Sequence, residues 1–128
     1  RKKAVLYFLL FQIVIVLFYL SGTFRSATGM YLLNGLMGLG GGYWAMFVTI
    51  GAEQFGTNLR ATAATTIPNM VRGTTVIDTV LYQAFKGLLG SATLAAGLGG
   101  LLVYIIAIYS ITTISETHNK DLDYLELD

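Results

Sequence analysis

The chain has no cysteine, one proline and one histidine among its 128 residues. Without cysteine there is no disulfide framework, thiolate nucleophile or thiolate metal cage, and the redox compartment is left open. The lone histidine, His118, lies among acids in the terminal tail, where a single imidazole is a poor metal site. It also leaves the usual hydrolytic constellations without their base. We therefore expect a protein that is not an enzyme and takes no cofactor. Charge is scarce as well, at 12% of residues and a formal net charge of +1. Nucleic-acid binding needs a basic face that this sequence does not have. The first residue is Arg1 rather than methionine, so the chain is expected to begin inside a longer protein.

Apolar length is what the sequence has in abundance. Apolar residues make up 55% of the chain and the mean hydropathy is +0.66. The charges gather at the ends and joints of apolar runs, the distribution of an integral membrane protein. A helix of about 20 apolar residues covers a hydrocarbon core of roughly 30 Å. Four stretches meet that length: 4–24, 30–52, 61–82 and 88–114. The expected fold class is an all-α membrane protein of four transmembrane helices, with a polar joint at 53–60 and a polar tail at 115–128. Arg1, Lys2 and Lys3 before an apolar run outline a signal peptide, but this run outlasts an h-region of about 7–15 residues and three more follow.

Lys and Arg in the short connections set the orientation. Four crossings put Arg1, Lys2, Lys3, Arg60 and Lys120 on one side, against Arg25 and Lys86 on the other. Both termini are expected in the cytoplasm.

The four spans differ in character. The first is Leu, Ile, Val, Phe and Tyr with Gln12 as its strongly polar residue, and reads as a lipid-facing scaffold. The second carries Gly35, Gly38, Gly40, Gly41 and Gly42 before Tyr43 and Trp44. It fails the G-x-G-x-x-G phosphate pattern because Tyr43 occupies the closing position. Its glycines favour close packing or an interruption near mid-membrane. The fourth span has small residues at intervals of four, Ala92, Ala96 and Gly100 beside Ser91, Ala95 and Gly99, which let helix backbones approach in lipid.

The third span is too polar for a helix surrounded by lipid. At 100° per residue, Thr65, Asn69, Arg72, Thr75, Thr79, Gln83 and Lys86 fall within about 60° of the direction of Arg72. Asp78 points about 120° away, and Pro68 is expected to bend the helix one turn before Arg72. An arginine near the bilayer midplane costs roughly 3 kcal/mol or more unless it faces protein or water. The stripe reads as the lining of a water-filled path or binding cavity, or as an internal ion pair holding helices together. Thr65, Asn69, Arg72, Thr75 and Thr79, with Asn34 and Trp44 of the second span, are the candidate path residues. Asp78 is a candidate proton carrier or a structural acid. The tail, with Asp121, Asp123, Glu126 and Asp128, reads as solvated.

Three local motifs add a resemblance. Arg1-Lys2-Lys3 is similar to the end of the basic loop before helix nine of major facilitator superfamily transporters. Residues 53–60, Glu-Gln-Phe-Gly-Thr-Asn-Leu-Arg, resemble the Glu-x-Phe-Pro-x-x-x-Arg joint after helix ten of sugar porters and metabolite:proton symporters. Ser115-Glu116-Thr117 resembles the Pro-Glu-Thr-Lys-Gly motif after helix twelve. The departures are Gly56 for the proline of the joint, His118-Asn119-Lys120 where Lys-Gly is expected, and Val48 where sugar porters place a tryptophan, with Trp44 one turn earlier.

The resemblance implies a fragment of a twelve-helix fold, its spans matching helices nine to twelve, in a bacterial cytoplasmic membrane. It implies transport of a small polar solute, a sugar or organic acid, by alternating access with proton coupling. The partners would be the lipid bilayer, the missing helices of the same protein, the solute and a proton. A cytoplasmic latch would comprise Glu53, Arg60, Glu116, Arg1, Lys2 and Lys3. The alternative is a small four-helix membrane protein that oligomerises around its polar third helix as a pore or accessory subunit.

Overall fold

The computed structural model describes residues 1–118, 121 and 123–125, and all regular structure among them is helical. Helix α1 (Lys2–Ser21) stops where Gly22 turns left-handed at φ 65° and returns its N–H to the Tyr19 carbonyl. Ser26 then caps α2 (Ala27–Gly40), its hydroxyl accepting the Gly29 N–H at 3.1 Å. A 3₁₀ turn (Gly41–Tyr43) joins α2 to α3 (Trp44–Ala52). Gly40, Gly41, Tyr43 and Trp44 all stay right-handed, so the rod tightens there without reversing. Three successive glycines, each costing about 1 kcal/mol in a helix interior, explain why the α pattern gives way at this point.

The third expected span is much longer than 61–82. Helix α4 (Thr57–Leu89) has 33 residues and takes in four residues expected in the joint, 57–60, as well as Leu88 and Leu89, expected in the fourth span. Its end is set by Gly90, left-handed at φ 64°, with Lys86 in the final turn favouring the C-terminal dipole. The helix runs unbroken through Pro68. Helix α5 (Ala92–Thr113) begins at Ser91, whose hydroxyl accepts the Leu94 N–H.

Adjacent rods run antiparallel. Gly40 lies against Gln12, and Gly97 faces Leu20 at the far end of α1. At the near end, the Lys2 ammonium donates to the Thr112 and Ile114 carbonyls at 3.0 and 2.6 Å, closing the exposed acceptors at the end of α5. The start of α1 and the end of α5 therefore meet at one end of the bundle. Val5, Leu9 and Ile50 form the buried centre, with Tyr43, Met46, Tyr104, Ala107, Ile111 and Ile114 packed around them.

Small residues allow the closest approaches. Ala95 of α5 is fully buried, and Gly51 of α3 sits against Ile67 of α4. A Cβ at Gly51 would lie 2.8 Å from Ile67 Cδ1. Outside these seams the rods show large apolar side chains, Tyr7 and Leu17 on α1, Ile105 and Tyr109 on α5. Of the described helices, α1 and α5 are long and apolar enough to cross a membrane by length and composition.

Overpacking the α3–α4 seam gives a direct check. Gly51→Leu is expected to lower the thermal midpoint of the intact protein by an amount equivalent to about 1–3 kcal/mol. Gly51→Ala needs only a shift of the Ile67 terminus, and should be rescued fully by Ile67→Val.

Candidate functional site

Two polar regions stand out, one at the end of the bundle where the start of α1 meets the end of α5 and one along α4. The first is built on Glu53, which follows α3 directly. Its side chain is only 10% exposed, and its Oε2 receives both the Arg1 guanidinium and the Thr117 hydroxyl, the latter at 2.6 Å. Burial by itself raises this carboxyl, but the Thr117 and Arg1 donors and the charges of Arg1 and Arg60 prevail and hold it below its usual range. Arg60 donates to the Phe55 carbonyl at 3.3 Å, bracing the turn between α3 and α4.

Glu116 completes the cluster. Its Oε2 accepts the Lys2 N–H at 3.1 Å. Its Oε1 accepts the Thr117 and His118 N–H groups at 3.1 and 3.2 Å. Here too desolvation acts upward, yet the His118 and Lys2 backbone donors hold the carboxyl below its usual range. A carboxylate held at the start of α1 also meets the positive end of the helix dipole. Of the six expected latch residues, Glu53, Glu116, Arg1, Lys2 and Arg60 gather here, while Lys3 is exposed beside them. Lys120, with Asn119, Glu126 and Asp128, lies outside the described residues.

The described tail residues Ser115, His118, Asp121, Asp123, Tyr124 and Leu125 are exposed, as expected of a solvated tail, yet part of the tail also packs. Thr117 is buried at 4% exposure, and Gln54 Nε2 donates to the Ser115 carbonyl at 3.1 Å. Further on, the Tyr124 hydroxyl donates to the Gln54 carbonyl at 3.2 Å, and the Tyr124 carbonyl accepts from the Thr57 amide and hydroxyl at 2.8 and 3.0 Å. The polar composition of the tail concealed this packing. The motif containing Thr117 was the available signal for its first part; no sequence feature marks Tyr124.

Along α4, the polar stripe and the packing face lie on opposite sides. Ala63, Ile67, Thr74 and Leu81 point about 140–180° from Arg72 by helical geometry. Ala63 is buried, Ile67 meets Gly51, and Thr74 and Leu81 line recesses within the bundle. Thr65, Asn69, Arg72, Thr75 and Thr79 are all exposed. Arg72 donates to Asn69 Oδ1 at 3.3 Å, one turn back along the same stripe. The Thr65, Thr75 and Thr79 hydroxyls donate to carbonyls of their own helix. Their donors are occupied, and the guanidinium keeps most of its five N–H groups for an outside partner.

The other candidates are dispersed. Asn34 donates to the Met30 carbonyl at 2.8 Å on α2. Trp44, tilted against Phe47, lines an apolar cavity of about 380 Å³ bounded by α1, α3, α4 and α5. Asp78 lines a separate recess of about 310 Å³ between α4 and α5, with Tyr82, Tyr104 and the small residues Ala95, Ala96, Gly99 and Gly100. The bundle therefore does not bring the stripe, Trp44 and Asp78 into one chamber.

Among the described residues these features define a helical chain with two apolar rods of membrane-crossing length and one long helix that carries an exposed polar stripe. The chain is similar to the myo-inositol transporter FST1 of Gibberella moniliformis, with 30% identity over 106 residues. The match takes in 80% of this chain and 18% of the length of that relative. No protein-family model and no solved structure matches the chain. The apolar rods and the likeness to a transporter both support a membrane location, and the relative is fungal.

The two depressed carboxyls predict an acid-sensitive junction. Their stabilising contribution is present above the ordinary carboxylate value of 4.5 and is lost as pH falls through their lowered folded-state values. Thermal midpoints of the intact protein should fall between pH 5 and pH 3, within that window. The double variant Glu53→Gln with Glu116→Gln should begin lower and respond less to pH.

Proposed function

We propose that this chain is the closing part of a major facilitator superfamily transporter, of the sugar-porter type, that moves a small polyhydroxylated solute such as myo-inositol by alternating access. The observation that carries the reading is the sidedness of α4. A helix that packs through Ala63, Ile67 and Leu81 while keeping Arg72, Asn69 and three threonines on its open side needs water, solute or further protein there. The likeness to a myo-inositol transporter across 80% of the chain supports the same reading.

In this account α1 and α5 are the lipid-facing supports, and α4 turns its polar side toward a passage completed by helices elsewhere in the protein. Arg72 and Asn69 offer a donor and an amide to solute hydroxyls. Asp78, set apart between α4 and α5, carries the coupling proton. The cluster of Glu53, Arg60, Glu116, Arg1 and Lys2 is the latch at the cytoplasmic end, with Lys3 adding charge beside it. Ion pairs that water can reach are individually weak, which lets the equilibrium tip both ways as the two halves rock about a central site.

Uptake of labelled myo-inositol by the intact protein tests the role of Arg72. Arg72→Gln should reduce uptake at least tenfold at equal expression; wild-type uptake would make Arg72 a structural residue and remove the passage. Single cysteines replacing Thr75 and Thr79, in a cysteine-free background, should react with a membrane-impermeant thiol reagent, and one replacing Ile105 on α5 should not. Asp78→Asn should abolish proton-driven accumulation while leaving solute exchange at equilibrium, and retained accumulation would reassign Asp78 as a structural acid.

A further inference from the structure

The segment that follows α5 turns back over the bundle and supplies what two other helices lack at their first turns. Helix α4 starts at Gly56, which has no side chain to accept its leading N–H groups. The Tyr124 carbonyl takes that position, accepting the Thr57 N–H at 2.8 Å and the Thr57 hydroxyl at 3.0 Å. Helix α1 starts at Arg1 without a side-chain cap of its own, and the Glu116 carboxylate accepts the Lys2 N–H at 3.1 Å. Bonds also run from the joint to the segment, from Gln54 Nε2 to the Ser115 carbonyl. The Tyr124 hydroxyl returns one to the Gln54 carbonyl, and Thr117 inserts its hydroxyl onto Glu53. Asp123 closes a local turn by donating its N–H to Asp121 Oδ1 at 3.0 Å.

We propose that the described residues Ser115–His118 and Asp123–Leu125 act as a strap that pins the start of α4, the helix bearing Arg72, to the ends of α1 and α5, and that it must release before this end of the protein opens. The strap crosses three helix ends, so none of them can separate from the others while its bonds persist. Its bonds around Tyr124 are exposed hydrogen bonds, individually weak and replaceable by water, which suits repeated release. The consequence for solute movement rests on the transporter reading; the capping of α4 does not.

The test uses the intact protein and two readouts. In hydrogen exchange, truncation after His118 keeps Glu116 and Thr117 but removes Tyr124, and should speed exchange at the Thr57 amide about tenfold while amides near Asp78 keep their wild-type rates. Tyr124→Phe, which removes only the bond to Gln54, should give a smaller increase in the same peptide. Separately, cysteines replacing Gln54 and Tyr124 are joined with a short reducible bifunctional thiol reagent. Linking should lower myo-inositol uptake about tenfold, and reduction should restore it. Wild-type exchange at Thr57 in the truncated protein overturns the strap, as does uptake that is indifferent to the link. If the unlinked protein takes up no myo-inositol, the transport reading fails by itself, and the exchange rates still decide whether the strap caps α4.

Discussion

Helix α4 must satisfy two surroundings at once, and the rest of the arrangement follows from how it does so. On one side it meets α3 and α5 through small or compact side chains, Gly51 against Ile67 and Ala95 in its recess. On the other it holds a guanidinium, an amide and a row of hydroxyls that lipid would penalise. Because a helix turns about 100° per residue, the two sets are separated by position in the sequence alone and need no distortion to face apart. The neighbouring rods are correspondingly simple. Helices α1 and α5 carry almost no charge along their lengths and show large apolar side chains to the outside.

A second concentration of polar groups lies at the end where Arg1, Glu53, Thr57, Glu116 and Thr117 come together. Four helix termini meet there, each with unsatisfied backbone donors or acceptors. The cluster answers them with the long side chain of Lys2 over the end of α5, the Glu116 carboxylate at the start of α1, and the Tyr124 carbonyl at the start of α4. Ion pairing and helix capping are one arrangement here. A disturbance of either reaches all four of the helix ends gathered there.

Gly56 shows how a departure from a family pattern keeps its geometry. The resemblance expects proline at this position of the joint. The residue present adopts φ −60° and ψ 165°, within the range a proline ring imposes. A proline ring would therefore be compatible with the backbone at the start of α4. The glycine carries no side chain to cap the helix, and the tail supplies the acceptor.

Composition and periodicity determined a good deal of this protein. The apolar runs, the interruption near Gly40, the sidedness of Arg72 with Thr65, Asn69, Thr75 and Thr79, and the divergence of Asp78 from that stripe all follow from local sequence, because length, residue polarity and a 100° step are local properties. Helix ends were less legible. Residues 57–60 looked like a joint because they are polar, yet a polar segment at the end of a bundle loses nothing by being helical when another part of the chain caps it. What only the tertiary structure decided is which distant groups share an oxygen or a carbonyl: Thr117 with Arg1 on Glu53, Thr57 with Tyr124, Lys2 with the end of α5. Thr117 lies 64 residues from Glu53, Tyr124 67 from Thr57 and Ile114 112 from Lys2, and their meeting depends on the antiparallel packing of the rods, which no window of sequence contains.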